Sequence, residues 1–266
     1  MALHDYFKQL ICAVSEINGV LSIGKSGGDK LPLFNESDID IFIFCDEIPT
    51  TMSRQSALMK LGTVISEMKL SETGGAFWGV CDFVTVADTE VCLMYFTIAD
   101  MDNDINAVLS GSRLGREREY FYPTGRCATF VSMHILYDMN GYIAGMKEKL
   151  AVYPISLSKK LYAFHIGKIN NTEDFYRAVE REDVLFYHST LETALDHFLQ
   201  ALFAVNKCFF PSRKRSLRYI DNFEHKPQSC SEMLLKVIEL GAKPETLRQS
   251  YEIWSDLCKR LSEISA

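Results

Sequence analysis

GKSGGDKLPLFNESDIDIFIFC, residues Gly24 to Cys45, sets two aspartates one residue apart at the head of an apolar run. Ile39, Ile41, Phe42, Ile43 and Phe44 are β-branched or aromatic, so the run reads as a largely buried strand. Side chains alternate faces along a strand, which puts Asp38 and Asp40 on the same side. Ionised carboxylates in such a place need a cation, hydrogen bonds or a metal. The stretch before them, Gly24-Lys25-Ser26-Gly27-Gly28, offers close backbone approach at the glycines, amide N–H donors and a hydroxyl, which is what phosphate oxygens require. Magnesium is commonly held by one or two carboxylates together with substrate phosphates. The acids therefore read as holding a metal, and the metal as holding phosphates.

The chain has 266 residues, of which 47% are hydrophobic and 24% charged, ordinary figures for a globular protein with a substantial core. A formal net charge of −7 argues against broad electrostatic binding of nucleic acid and favours a cationic small molecule. No stretch approaches the ~20 apolar residues of a membrane span, and the N-terminal segment lacks a cleavage pattern, so a cytoplasmic protein is expected. Eight cysteines are scattered without a CxxC pair, as expected of small buried hydrophobes in a reducing compartment. The histidines are dispersed, and a metal site built on them is not expected.

Periodicity predicts an amphipathic helix over 4–18, strands at Val20–Gly24 and Asp38–Cys45 around the loop Lys25–Ser37, and a helix over Ser53–Lys69. Val80–Val86 and Glu90–Phe96 read as a hairpin joined by Ala87-Asp88-Thr89. A helix follows over Asp100–Leu109, then a basic loop, a strand within TFVSMHILYD and a helix in MNGYIAGMKEKL. After Pro154 everything has helical period: Ser158–Lys168, Thr172–Val205, Ser212–Phe223, Ser229–Leu240 and Pro244–Ile264. This divides the chain into 1–151 and 152–266. The aromatic run Phe198, Phe203, Phe209 and Phe210 reads as helix-packing core. The basic cluster Arg213, Lys214, Arg215 and Arg218 is open between a phosphate contact and a solvated helix face.

The loop is neither a GxxxxGK[ST] phosphate loop nor a GxGxxG dinucleotide turn. The order strand, Gly-x-Ser-Gly, loop, Asp-Ile-Asp, apolar strand instead resembles the nucleotidyltransferase superfamily that includes DNA polymerase β and the antibiotic-modifying adenylyltransferases. In that signature Gly-Ser precedes Asp-x-Asp by about a dozen residues, and here Ser26 precedes Asp38 by twelve. Lys25 separates Gly24 from Ser26, where the family usually has the pair adjacent. HILYDMNGYIAGMKEKL is similar to the final strand and helix of bacterial lincosamide and aminoglycoside nucleotidyltransferases, and FFPSRKRSLRYIDNF to a segment of other superfamily members.

The resemblance implies an α+β chain: an N-terminal mixed β-sheet domain of nucleotidyltransferase type flanked by helices, then an all-helical C-terminal domain. It implies transfer of a nucleoside monophosphate, AMP foremost, from an NTP to a hydroxyl of a small molecule such as an antibiotic, with release of pyrophosphate. Two Mg²⁺ ions would be held by Asp38, Asp40 and a third acid, with ATP as the expected co-substrate gripped by residues 24–28. The third acid is open between Glu90, the favoured choice, and Asp82, while Cys92 stands where an acid is also expected. A homodimer is compatible with this plan, and a catalytically silent nucleotide-binding module or an enzyme acting on a protein or RNA end are the alternatives.

Overall fold

The computed structural model describes residues 3–27, 38–71, 79–116 and 122–264. The chain forms two compact units, Met1–Asn106 with Arg126–Val152, and Ala107–Gly125 with Tyr153–Ala266. Residues 107–116 and 122–125, which the sequence reading leaves with the first unit, fall in the second.

The first unit is built on a mixed sheet of six strands: β1 (Val20–Lys25), β2 (Ile39–Cys45), β3 (Ile65–Lys69), β4 (Val80–Val86), β5 (Thr89–Thr97) and β6 (His134–Asp138), in the order β3-β4-β5-β2-β1-β6. Its helices are α1 (Leu3–Ser15), α2 (Thr51–Met59), α3 (Ile98–Leu109), α4 (Gly125–Ser132) and α5 (Tyr142–Leu150). Only β2 and β5 run parallel; the other neighbours are antiparallel. Ile39, Ile41 and Ile43 of β2 join Val91, Leu93 and Tyr95 of β5 and the apolar stripes of α1 and α2 in one core cluster. Each such isoleucine, at most 2% exposed, contributes roughly 1.5–3 kcal/mol relative to an exposed one.

Two expectations for this unit are corrected. The helix predicted over 53–69 ends at Met59, and a 3-10 turn at Gly62–Val64 leads into β3. Gly62 has φ +54, a backbone that breaks the helix where its side-chain pattern could have continued. The run TFVSMHILYD is half helix: α4 ends at Ser132 and only His134–Asp138 is strand. Asp138 then accepts from the amides of Ile143 (3.2 Å) and Ala144 (2.9 Å), closing the first turn of α5. At Ala87 and Asp88 the hairpin expectation holds, with φ of 47° and 62°, the left-handed geometry of a tight two-residue turn.

The second unit carries α6 (Ile155–Ile166), α7 (Thr172–Glu180), α8 (Val184–Val205), α9 (Ser216–Asn222), α10 (Cys230–Leu240) and α11 (Leu247–Ser262), with no strand among its described residues. The single helix predicted over 172–205 is two. Glu182 turns left-handed (φ 53°) and Asp183 caps α8 by accepting from the Phe186 amide at 2.9 Å. Trp254 is fully buried against Phe198 and Phe175 and donates to the Ile169 carbonyl at 3.1 Å. Asp196 lies under this core, accepting from Tyr122 Oη (2.5 Å), Arg116 Nη1 (2.6 Å) and Arg213 Nε. Burial alone would push the Asp196 carboxyl up, but the hydrogen bonds from Arg213 and Tyr122 and the guanidinium charges outweigh it and hold it below the ordinary value. No helix among the described residues is long and apolar enough to cross a membrane.

Two outcomes test this framework. Because the folded Asp196 carboxyl is depressed, its stabilisation is present above the unfolded value of 3.8 and is lost as pH falls through the lower folded value. Asp196→Asn should therefore flatten the dependence of the urea midpoint on pH below that point. In the first unit, Asp82 (0% exposed) is paired with Arg54 (2%) at 2.8 Å. Arg54→Met should cost about 3–5 kcal/mol in urea unfolding by stranding the carboxylate. Arg54→Met with Asp82→Leu should recover most of that loss.

Candidate functional site

Asp40, Phe42 and Phe44 occupy the face of β2 opposite the isoleucines. Phe44 packs against Phe130 of α4 and Tyr142 of α5, both with ring centroids 5.2 Å away, and Phe42 stacks on Phe96 of β5 at 5.7 Å. The aromatic residues close this face toward the end of β2. Asp38 and Asp40, at its beginning, remain exposed. The sheet thus turns one strand face into a packed half and an acidic open half.

The parallel ladder pairs Ile39 with Val91, Asp40 with Cys92 and Phe42 with Met94. Glu90, two residues before Cys92, shares its face and stands in the register position of Asp38, also exposed. Hydrogen bonding to Cys81 and burial push the Cys92 thiol up, and the charges of Asp40 and Glu90 add to this. Cys92 is accordingly a neutral thiol, a poor ligand for a hard cation. Glu90 is the acid that β5 brings to the aspartate pair.

Asp82 faces the other way. It alternates in phase with Val80, Val84 and Val86, all core residues, and pairs across the ladder with buried Leu93. Arg54 Nε and Nη2 donate to its carboxylate at 2.8 and 3.3 Å and the Ser71 amide at 3.1 Å, while the rest of the guanidinium is taken by the carbonyls of Pro49 and Ser71 at 2.6 Å. The strand beside β2 is therefore that of Glu90, and the competing acid is spent in a buried ion pair. The sequence carried a signal for this, since an acid with the parity of core valines demands a buried cation, although it could not say that Arg54 supplies it.

The glycine-rich segment separates into distinct roles. The Ser26 amide donates to the Asp40 carbonyl at 3.0 Å, and its hydroxyl lies 3.5 Å from Asp40 Oδ2, on the acidic face. Gly27 follows with φ +75, exposed, with nothing within 4 Å of where a Cβ would stand. Gly28 lies outside the described residues. Lys25 pairs with Ile41 and points with it to the α1 side; it is 4% exposed, and its ammonium donates to the Ser26 carbonyl at 3.2 Å. Gly24 is buried, and a Cβ there would stand 2.2 Å from Met133 Sδ. Of residues 24–28, Ser26 and Gly27 are the ones placed at the acids, whereas Gly24 and Lys25 are built into packing.

A cavity of about 370 Å³ opens beside Glu90, lined also by Glu67, Met68, Lys69, Phe83 and Thr85. Glu67, Thr85 and Glu90 stand side by side across β3, β4 and β5. Among the described residues no three His, Cys, Asp or Glu side chains converge into a ready-made ion site. Two exposed aspartates and a glutamate are nonetheless hard oxygen donors, the set that magnesium takes when phosphate oxygens complete its shell. The basic cluster at 213–218 is partly consumed in the second unit, where Arg213 binds Asp196 and Glu192.

The fold as a whole is similar to the crystal structure of a nucleotidyltransferase-like protein from Exiguobacterium sibiricum 255-15, with a TM-score of 0.50 and 9% identity over 97% of this chain and 75% of that one. At that identity the likeness bears on the fold, which is nucleotidyltransferase-like. Residues 122–215 match a family model described as a domain of unknown function (DUF4037). No curated protein matches the chain.

The placement of Gly24 yields a direct test. Gly24→Ala should destabilise the first unit by roughly 1–3 kcal/mol through overpacking on Met133. Gly24→Ala combined with Met133→Ala should recover part of that loss in thermal unfolding. An additive double variant would show that Met133 is not what excludes a side chain at Gly24.

Proposed function

On this fold, we propose that the chain is a magnesium-dependent nucleotidyltransferase that moves a nucleoside monophosphate, AMP from ATP, to a hydroxyl of a small cationic molecule. The observation that carries the reading is the register of β5 on β2, which sets Glu90 on the same open face as Asp38 and Asp40, with Ser26 against Asp40. Asp38, Asp40 and Glu90 would hold magnesium together with the triphosphate. When bound there, the metal neutralises charge that builds on the departing pyrophosphate.

The remaining work falls to the chain. The Ser26 hydroxyl and the backbone at Gly27 bind phosphate oxygens, and positioning of the two reactants supplies much of the rate. Glu90 accepts the proton of the acceptor hydroxyl as its oxygen bonds to the α-phosphorus and the bond to the bridging oxygen breaks, so that pyrophosphate leaves. The cavity beside Glu90 suits the acceptor. Phe83 and Met68, 37% and 38% exposed, offer apolar contact, and Glu67 offers a charge for an amine. An aminated antibiotic has this chemistry.

A second reading, a nucleotide-binding module that does not transfer, is favoured by one observation: the residue directly across from Asp40 is the neutral Cys92 rather than an acid.

Magnesium-dependent release of pyrophosphate, measured with a panel of hydroxylated amines, separates the two. Asp38→Asn and Asp40→Asn should each abolish release while the melting temperature without metal stays unchanged, because each removes charge but keeps shape. Glu90→Gln should lower kcat by a factor on the order of 10² with nucleotide affinity kept, the scale of a positioned general base. Near-normal turnover in either aspartate variant would remove the metal-site assignment. Nucleotide binding without release for any acceptor would favour the silent module.

A further inference from the structure

Cys81 of β4 and Cys92 of β5 are the two cysteines that neighbouring strands place on one face of the sheet. The antiparallel ladder pairs Phe83 with Cys92 and Cys81 with Met94, which makes the cysteines diagonal neighbours, and a hydrogen bond joins their thiols. Their face is the acidic one: Cys92 lies directly across from Asp40 and two residues from Glu90. Cys45, the remaining cysteine of the sheet, lies on the opposite face, in the core. All eight cysteines are thiols. Nothing in the fold needs two polarisable sulfurs in contact beside a group of carboxylates, and an aliphatic pair would pack the same strands.

Diagonal neighbours have Cα atoms about 7–8 Å apart, whereas a disulfide usually spans about 4.4–6.8 Å. The sulfurs are therefore close enough to react, and the bond closes with a shift of β4 on β5 at the ladder position beside Asp40. We propose that Cys81 and Cys92 are a reversible oxidation site, linked to each other by a hydroperoxide, and that the link switches off the chemistry of the acidic face. Cys81 is partly exposed and Cys92 only 8%, so the peroxide meets Cys81 first. The Cys81 sulfur takes one oxygen of the peroxide as sulfenic acid, while the other leaves as water or an alcohol. The Cys92 sulfur then bonds to the Cys81 sulfur, and the sulfenic oxygen departs as water with the Cys92 proton. Each sulfur gives up one electron and the peroxide takes both. A thiol reductant restores the pair by exchange. Formation of the link is independent of the proposed transfer reaction; its effect on turnover rests on that reading.

The intact chain is treated with hydrogen peroxide, its remaining thiols are blocked with iodoacetamide, and the cysteines are mapped by mass spectrometry. No lysine or arginine lies between Lys69 and Arg113, so trypsin leaves both cysteines in one peptide, and a second cleavage after Glu90 separates them. The two halves should stay joined until dithiothreitol is added, and Cys81→Ser and Cys92→Ser should each abolish the joined species. Magnesium-dependent pyrophosphate release should fall by a factor on the order of 10² on oxidation, the scale of misplaced reacting groups. It should return with dithiothreitol and be indifferent to peroxide in Cys81→Ser. Oxidation of Cys81 to sulfinic acid without the link, a link from either cysteine to a different partner, or full turnover by the linked protein would each overturn the proposal. A link that forms in a chain with no turnover even before oxidation would sustain the oxidation site and remove the transferase reading, with the regulation that rests on it.

Discussion

The parallel pairing of β2 with β5 is the constraint on which the first unit turns. Every other neighbouring pair in the sheet is antiparallel. A parallel pair needs a long crossover between its strands, and here that crossover contains α2, β3 and β4. The register of this one ladder, Ile39 on Val91, determines two things at once. It aligns Ile41 and Ile43 with Leu93 and Tyr95 over the core beneath, and it aligns the acids Asp38 and Asp40 with Glu90 and Cys92 above. A slip of one residue would bury the acids and expose the isoleucines, so the apolar core itself enforces the geometry of the acidic end.

Charge is handled in two opposite ways within one sheet. Asp82 is buried, and its carboxylate is met by Arg54 and a backbone amide, on the face of the sheet away from Asp40. Asp38, Asp40 and Glu90 are left open to solvent at the end of the sheet that the aromatic residues do not cover. A buried acid paired with a guanidinium is tied to the fold, whereas grouped exposed acids repel one another and are stabilised by any cation that joins them. That contrast distinguishes structural from candidate functional carboxylates more reliably than proximity in sequence does.

The segment 24–27 links the two faces of the sheet. Alternation sends Ser26 to the acidic face and Lys25 to the α1 face, and the Lys25 ammonium donates to the carbonyl of Ser26. The residue that interrupts Gly-Ser in the sequence therefore faces away from the acids and supports the next residue from behind. Gly24 is glycine because Met133 occupies the space its side chain would fill. A motif that reads as one phosphate-binding unit is, in three dimensions, a packing glycine, a buried lysine and a serine at the acids.

The sequence by itself determined the strand of Asp38 and Asp40, their common face, the hairpin of β4 and β5 and the helical character of the C-terminal half, because these rest on local periodicity and on turn residues whose preferences are intrinsic. It also put Glu90, Cys92 and Met94 on one face of their strand. It did not determine β3, the division of 125–138 into helix and strand, or the break at Glu182, where apolar spacing is compatible with either continuation and a left-handed residue or a side-chain cap decides. Nor could it say whether the strand of Glu90 or that of Asp82 is the neighbour of β2, because only sheet order decides that. Tertiary structure supplies that order: β5 lies between β4 and β2, and the parity that Asp82 shares with core valines turns it to Arg54, a partner 28 residues away in sequence that no local pattern could identify.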